Sequence, residues 1–370
     1  MKLAIAGSRG FPSTYGGYET LVRYLAPFLV SQGHDVTVYC RARDESRRSW
    51  VTEGVRCIAT HGRDTKSLST LSFGATSFAD ATTRRFDSVL VLNIANGFWL
   101  PMLRASRTPC AVNTDGLEWE RGKWSTLGKN VFRWGASLTA RFADELVCDS
   151  VEMGRIWSER YGRESTFIPY GAPVLSDVGM DRLAPLGLAD RPFVLVVARL
   201  VPENNVELTL AALETLGPAA PHVVVVGSAN GESPIEHELK ERQGLGGLTW
   251  LGHVDDQQLL MQLWANCAVY LHGHSVGGTN PALLQALGAG APTLALDTPF
   301  NAEVLPERDQ RYGPDPQALG ERIREVASSP GMQDEFRRRG RRHVTERYSW
   351  NAVCESYADV LTNLAHARPR

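Results

Sequence analysis

The sequence predicts an α/β protein of two doubly wound, Rossmann-like domains. Three observations predict it. Apolar, strand-like runs alternate with helix-period segments in both halves of the chain. A stretch rich in proline and glycine, Ala172–Arg191, separates the halves, and the alternation restarts directly after it. At 370 residues the chain is too long for one ordinary core and suits two domains of roughly 170–180 residues.

In the first half, Lys2–Ala6 is a short apolar run that enters a glycine-rich loop, Gly7–Gly17. Tyr18–Gln32 follows as a helix, with Leu21, Tyr24, Leu25, Phe28 and Leu29 on one face and Gly33 at its end. Asp35–Cys40, Val55–Ala59, Ser88–Leu92, Cys110–Thr114 and Glu145–Cys148 read as strands, with helices at Leu127–Asp144 and Val151–Tyr161. Ala172–Arg191 reads as the interdomain linker. In the second half, strands Phe193–Ala198, His222–Val226, Leu248–Leu251, Ala268–Leu271 and Pro292–Leu296 alternate with helices. The chain is helical from Pro316, and its last helix is long enough to return to the first domain. The expected domains are therefore residues 1–172, completed by a crossover helix at 350–370, and residues 173–349. Parallel sheets of this kind bind ligands beyond the carboxyl ends of their strands.

Hydrophobic content of 43% and charged content of 22% are those of a globular chain. A formal net charge of −2 gives no global attraction to nucleic acid. The six cysteines, Cys40, Cys57, Cys110, Cys148, Cys267 and Cys354, form no CxxC pair and read as buried, reduced thiols. The N-terminal apolar run is too short for a signal peptide, and no stretch approaches the roughly 20 apolar residues that span a bilayer. A cytoplasmic protein is expected.

Four constellations carry candidate chemistry. Gly7–Gly10 and Tyr15–Glu19 lie between the first strand and first helix, where glycine allows either close ligand approach or a tight turn. They are not the GxGxxG fingerprint, and the second strand ends in Cys40-Arg41 where an acidic residue would hold an NAD ribose. An NAD-dependent dehydrogenase is thus disfavoured. Arg199, directly after the first strand of the second half, can clamp a phosphate or else cap the sheet and pair with Glu203. His272–Pro281 offers glycines and the exposed N–H groups of a helix start as an anion cradle, with Thr279 and Asn280 as caps. His272 and His274 have no carboxylate or cysteine beside them, so no metal site is expected. Asn113–Trp124 sets Asp115 and Glu118 among two tryptophans and a basic pair, as in an aromatic-walled sugar site.

Together these loops resemble the retaining GT-B glycosyltransferases of family four, and within them the bacterial rhamnosyltransferase-type branch. The likeness is carried by SRGFPSTYGGYET from Ser8, VNTDGLEWERGKW from Val112, VCDS from Val147, IPYGA from Ile168, VARLVPENN from Val197 and HSVGGTNPALLQALGAG from His274. The resemblance implies two facing domains with the sugar-nucleotide donor in the cleft between them. It implies a metal-independent enzyme without a cofactor. Its donor would be dTDP-L-rhamnose and its acceptor a lipid-linked or growing bacterial cell-surface glycan. By the same resemblance, Arg199 neutralises the donor pyrophosphate, and Asn204 stands where the wider family has a lysine. Gly278, Thr279 and Asn280 match the phosphate cradle. Gln285 and Gly277 replace the paired glutamates, with Gln285 placed to hold the ribose. Gly10, Gly16 and Gly17 fall on the donor side, and Asp115 and Glu118 on the acceptor side. The alternatives are a transferase using a UDP- or GDP-sugar, a hydrolysing UDP-GlcNAc 2-epimerase, and a non-catalytic sugar-nucleotide-binding module.

Two basic stretches remain. Arg121–Arg141 interleaves arginine and lysine with Trp124, Leu127, Val131, Phe132, Trp134 and Leu138. Such a face can pack on the sheet or lie on anionic lipid at the inner face of the cell membrane. Arg337–Arg342 reads as a solvated helix face.

Overall fold

The computed structural model describes residues 1–12, 16–41, 48–63, 69–114, 116, 119, 126–229 and 233–367. Its contacts divide the chain into two compact units, Met1–Tyr170 with Trp350–Arg370, and Gly171–Ser349.

The first unit runs β1 (Lys2–Ala6), α1 (Gly17–Ser31), β2 (Asp35–Arg41), β3 (Ser49–Thr52), β4 (Val55–Thr60), α2 (Ser69–Arg84) and β5 (Ser88–Leu92). It continues through α3 (Leu100–Ala105), β6 (Cys110–Asn113), α4 (Thr126–Phe142), β7 (Glu145–Cys148), α5 (Val151–Tyr161) and β8 (Thr166–Phe167). The sheet order is β3-β4-β2-β1-β5-β6-β7-β8, parallel except where β3 pairs antiparallel with β4. The inner strands are apolar throughout because helices cover both faces: every residue of β5 is buried, as are Leu3, Ala4 and Ile5 of β1.

The second unit runs β9 (Phe193–Val197), α6 (Val206–Thr215), β10 (His222–Val226), α7 (Pro234–Leu245), β11 (Leu248–Trp250), α8 (Gln257–Asn266) and β12 (Val269–His272). Then come α9 (Pro281–Ala289), β13 (Thr293–Leu296), α10 (Pro299–Val304), β14 (Arg311–Tyr312), α11 (Pro316–Ala327) and α12 (Pro330–Arg347). All strands are parallel, in the order β11-β10-β9-β12-β13-β14. Chain order reverses between β9 and β12, which is the switch point where doubly wound sheets hold ligands. In the first unit the corresponding reversal lies between β1 and β5.

The last helix, α13 (Trp350–His366), packs on the first unit through Trp350, Val353, Cys354, Tyr357 and Leu361, a helical i, i+3, i+4, i+7 stripe. Asn113 donates from Nδ2 to the Tyr357 hydroxyl at 2.6 Å, and the Ser88 hydroxyl donates to the Leu361 carbonyl at 2.9 Å. The Tyr24 ring of α1 is stacked on Trp350 at 4.3 Å. Tyr24 therefore belongs to this helix pair and not to the sheet-facing side of α1, which is Leu21, Val22, Leu25, Ala26 and Leu29.

Two expectations are corrected. Ala172–Arg191, read as the interdomain linker and counted from residue 173 with the second domain, is packed within the second unit. Leu183 and Leu188 are buried, Leu175 N–H donates to the Gly288 carbonyl, and Arg182 N–H donates to Gln262 Oε1. Proline and glycine break its secondary structure without removing the apolar anchors that dock it. Arg337–Arg342 is not a uniformly solvated face. Arg337 lies one turn before Arg341 on the side of α12 that turns inward. It donates to the carbonyls of Ala265, Cys267 and Gly290, closing the open ends of α8 and α9, while Arg341 reaches the Ala289 carbonyl. All six cysteines are buried and unbridged.

Arg337→Ala strands those three carbonyls. The second unit should lose about 2–4 kcal/mol, since hydrogen bonds to charged groups contribute about 1.5–3 kcal/mol each and do not add fully. Denaturant unfolding checks this, and Arg337→Lys should recover only part of the loss.

Candidate functional site

The site is built where the second sheet reverses. Beyond β9 the strand ladder continues for a few residues, with Ala198 N–H on the Val226 carbonyl and Leu200 N–H on the Ser228 carbonyl. The chain then turns so tightly that Val201 N–H reaches the Arg199 carbonyl at 2.9 Å. The same carbonyl accepts a bond from Asn204 Nδ2 at 2.8 Å. Arg199 is left half-buried, its guanidinium making no hydrogen bond or ion pair with any described residue, Glu203 included. Asn204 is only 3% exposed, so its amide fixes the turn that presents Arg199.

A second turn, after β12, is stitched to the first. Asn205, held in the left-handed region at φ 51°, donates from Nδ2 to the Gly273 carbonyl at 2.8 Å. Ser275 donates both its N–H and its hydroxyl to the Glu203 carbonyl, each at 2.9 Å. Gly273 is obligatory for steric reasons, because a Cβ there would lie 2.5 Å from the Asn204 carbonyl oxygen. From α10, Asn301 Nδ2 bridges the carbonyls of His274 (3.0 Å) and Leu296 (2.9 Å). Nothing local in the sequence marks Asn205, Ser275 or Asn301, since each acts across 5 to 72 positions.

The segment Val276–Asn280 carries the open amides. The N–H groups of Val276, Gly277, Gly278 and Asn280 donate to no described group. The first turn of α9 does not add to them, contrary to expectation. Pro281 has no N–H, the Asn280 side chain takes Ala282 N–H at 3.0 Å, and the Asn280 carbonyl takes the next two. The cradle is the loop, not the helix start. Thr279 is buried at the loop's end, and Gln285, half-buried one turn into α9, has a carboxamide without a partner among the described residues.

His272 and His274 lie ring on ring, 4.3 Å apart. His272 is fully buried, with Nδ1 3.1 Å from the Tyr270 hydroxyl and Nε2 unpartnered. Burial first, and the neighbouring His274 second, push its imidazole well below the usual histidine range. Among the described residues no third metal-ligating side chain joins the pair.

In the first unit, the glycines of the loop after β1 have packing reasons of their own. A Cβ on Gly10 (φ 134°) would lie 2.9 Å from Cys40 Cβ, and one on Gly16 (φ 113°) would strike the Glu19 carboxylate. One on Gly17 would crowd the Tyr170 hydroxyl at 3.2 Å. Arg9 N–H is taken by the Glu19 carboxylate at 3.0 Å and Phe11 N–H by Cys40 Sγ at 3.3 Å. Asp115 and Glu118 lie outside the described residues, as do Arg121, Lys123 and Trp124. Their neighbour Trp119 is buried, with the Arg160 guanidinium 5.1 Å from its ring. α4 buries Phe132, Gly135, Ala136 and Thr139, yet leaves Leu127 71% and Trp134 60% exposed on a helix whose charges are Lys129, Arg133 and Arg141.

A neutral His272 has a consequence for stability. Its folded pKa lies below the unfolded value of 6.5, so this contribution is complete above that pH and is lost as pH falls toward the folded pKa. Within that window each unit costs up to about 1.4 kcal/mol. His272→Gln should flatten the acid limb of the stability profile, which denaturant midpoints between neutral and mildly acidic pH would show.

Residues 16–171 match the family Glycosyl transferase 4-like domain, and residues 184–343 match Glycosyl transferases group 1. A curated relative, glycogen synthase of Mycobacterium tuberculosis, is 24% identical over 389 residues, covering 94% of this chain and 91% of that protein. Among solved structures, sucrose-phosphate synthase from Thermosynechococcus elongatus superposes with a TM-score of 0.82 at 20% identity, covering 99% of each chain. Anabaena HepE in complex with UDP-glucose gives 0.77 at 17% identity, covering 98% of this chain and 99% of its own. No described helix is long and apolar enough to cross a membrane. The chain is thus a glycosyltransferase of GT-B fold, a 4-like domain followed by a group 1 domain.

Proposed function

We propose that the chain moves a hexosyl group, L-rhamnose from dTDP-L-rhamnose, with retention onto a lipid-linked or growing bacterial cell-surface glycan. The observation that carries this reading is the half-buried Arg199, without a partner among the described residues, stitched at the switch point to the loop whose Val276, Gly277, Gly278 and Asn280 amides meet no described acceptor. Such a place suits a diphosphate.

The bond from the anomeric carbon to the diphosphate oxygen breaks, and the acceptor hydroxyl oxygen bonds to that carbon from the same face. The hydroxyl proton passes to an oxygen of the departing diphosphate. Arg199 and the Val276–Asn280 loop, with Gly278, Thr279 and Asn280 at its end, take up the charge that develops there. This is electrostatic preorganisation, and it calls on no metal or other cofactor. Asn204 keeps Arg199 in place, and Gln285 exchanges hydrogen bonds with the ribose hydroxyls. Gly10, Gly16 and Gly17 shape the donor side of the first unit, while Asp115 and Glu118 orient the acceptor. A UDP-hexose donor is the second reading, supported by the UDP-glucose held by HepE. The exposed Trp134 and Leu127 beside cationic α4 support peripheral contact of this cytoplasmic enzyme with anionic lipid at the inner face of the cell membrane.

Arg199→Ala should lower catalytic efficiency by about thirty- to a thousand-fold, or about 2–4 kcal/mol, and Arg199→Lys should restore only part. In calorimetric titration, wild type should prefer dTDP to dTMP and the alanine variant should lose that preference. A variant that discriminates as wild type does would reduce Arg199 to a sheet cap. Tighter binding of UDP than of dTDP by wild type would favour the second donor. Asp115→Asn and Glu118→Gln should slow turnover while nucleotide affinity stays unchanged; equal loss of donor binding would move them to the donor side. Trp134→Ala should weaken co-sedimentation with anionic vesicles at low salt, and no sedimentation of wild type would leave α4 a packing role alone.

A further inference from the structure

A cavity of about 310 Å³ lies in the second unit between α12 and the segment that follows α10. That is near the lower bound of small-molecule clefts, about 300–1,000 Å³. Neither Arg199 nor any residue of the Val276–Asn280 loop lines it. Nearly half of its lining residues are charged, and most of the rest are apolar. One face of α12 supplies Arg339, Arg342, His343, Glu346 and Arg347, and the segment after α10 supplies Glu307.

These groups are not equivalent. Arg339 is neutralised by Asp309 at 2.9 Å and Glu335 at 2.6 Å. Arg342 and Arg347 form no ion pair with any described residue, and neither do Glu307 and Glu346. Arg342 and Glu346 stand four apart on α12, both exposed, and form no ion pair with each other. Between them, Nε2 of His343 is buried without a hydrogen-bond partner. Burial, Arg347 and Arg342 press its imidazole below the usual range, while Glu307 and Glu346 oppose them.

Two unpaired guanidiniums, two unpaired carboxylates and an unpartnered imidazole around one cavity form a mixed recognition set. Guanidinium groups bind phosphate oxygens in a planar fork, and carboxylates accept hydrogen bonds from hydroxyls. A neutral or purely anionic molecule would leave half of the set unused. We propose that this cavity is a second ligand site, separate from the Arg199 site, for a small phosphomonoester bearing hydroxyl groups. Arg342, Arg347 and His343 take the phosphate, and Glu307 and Glu346 take the hydroxyls. The inference does not rest on the nucleotide-sugar reading.

Glycerol 3-phosphate is the probe, titrated calorimetrically into the full chain with uridine diphosphate present in excess. It should bind one to one, whereas glycerol should not bind. Arg342→Ala combined with Arg347→Ala should weaken it by about tenfold or more, with the melting temperature and uridine diphosphate affinity unchanged. Inorganic phosphate should bind more weakly, because the two carboxylates repel a bare anion and find no hydroxyl. Glu307→Gln should narrow that difference, and it keeps the test open if the double variant fails to fold. No binding of glycerol 3-phosphate, or unchanged binding by the folded double variant, overturns the site. Equal affinity for inorganic phosphate overturns the hydroxyl-bearing class of ligand.

Discussion

The carbonyl of Glu203 accepts two hydrogen bonds from Ser275, and the candidate chemistry of the second unit depends on that tie. It joins the turn after β9 to the turn after β12, the neighbouring strands between which the sheet reverses. Asn205 repeats the join at the Gly273 carbonyl, and Asn301 secures the far side at His274. An unpaired arginine on a free loop would swing through solvent and offer little preorganised charge. Fixed at one end by Asn204 and across the gap by Ser275, Arg199 and the Val276, Gly277, Gly278 and Asn280 amides, which meet no described acceptor, stay together before any ligand arrives. Preorganised groups cost no reorientation when charge develops, which is why rigid loops suit this task.

The two units share one topology around their reversal points but use it differently. In the second, four loop amides, those of Val276, Gly277, Gly278 and Asn280, meet no acceptor among the described residues. In the first, the Arg9 and Phe11 amides of the loop after β1 are taken by Glu19 and Cys40, and a Cβ on Gly10 would press on Cys40. That loop is therefore shaped from within. Closure of the first unit by α13 adds a long-range constraint, since Ser88 and Asn113 of its sheet bond to the chain's last helix.

Much of the fold is legible in the sequence because buried parallel strands are continuous apolar runs. Phe193–Val197 and His222–Val226 are recognisable for that reason, whereas the reversal between β9 and β12 is a property of the sheet order that no apolar run reports. The two-residue strands β8 and β14 and the short α10 are too brief to carry a period. Ala172–Arg191 misleads because proline and glycine report broken secondary structure, not lack of packing. Arg337 misleads because composition cannot tell an arginine that caps helix carbonyls from one in water. At the candidate site, Arg199 and the glycine loop stand out by their place after strands. The Asn205, Ser275 and Asn301 ties do not, because their partners are carbonyls, which every residue has.

The central claim is that the nucleotide diphosphate is held by Arg199 and the Val276–Asn280 loop. Hydrogen exchange with and without dTDP, read by mass spectrometry, tests it most directly because it reports on the amides themselves. The account predicts slowed exchange in peptides spanning residues 199–205 and 274–282 when the nucleotide is bound. Slowed exchange confined to residues 7–19, with the second-unit peptides unchanged, would contradict it.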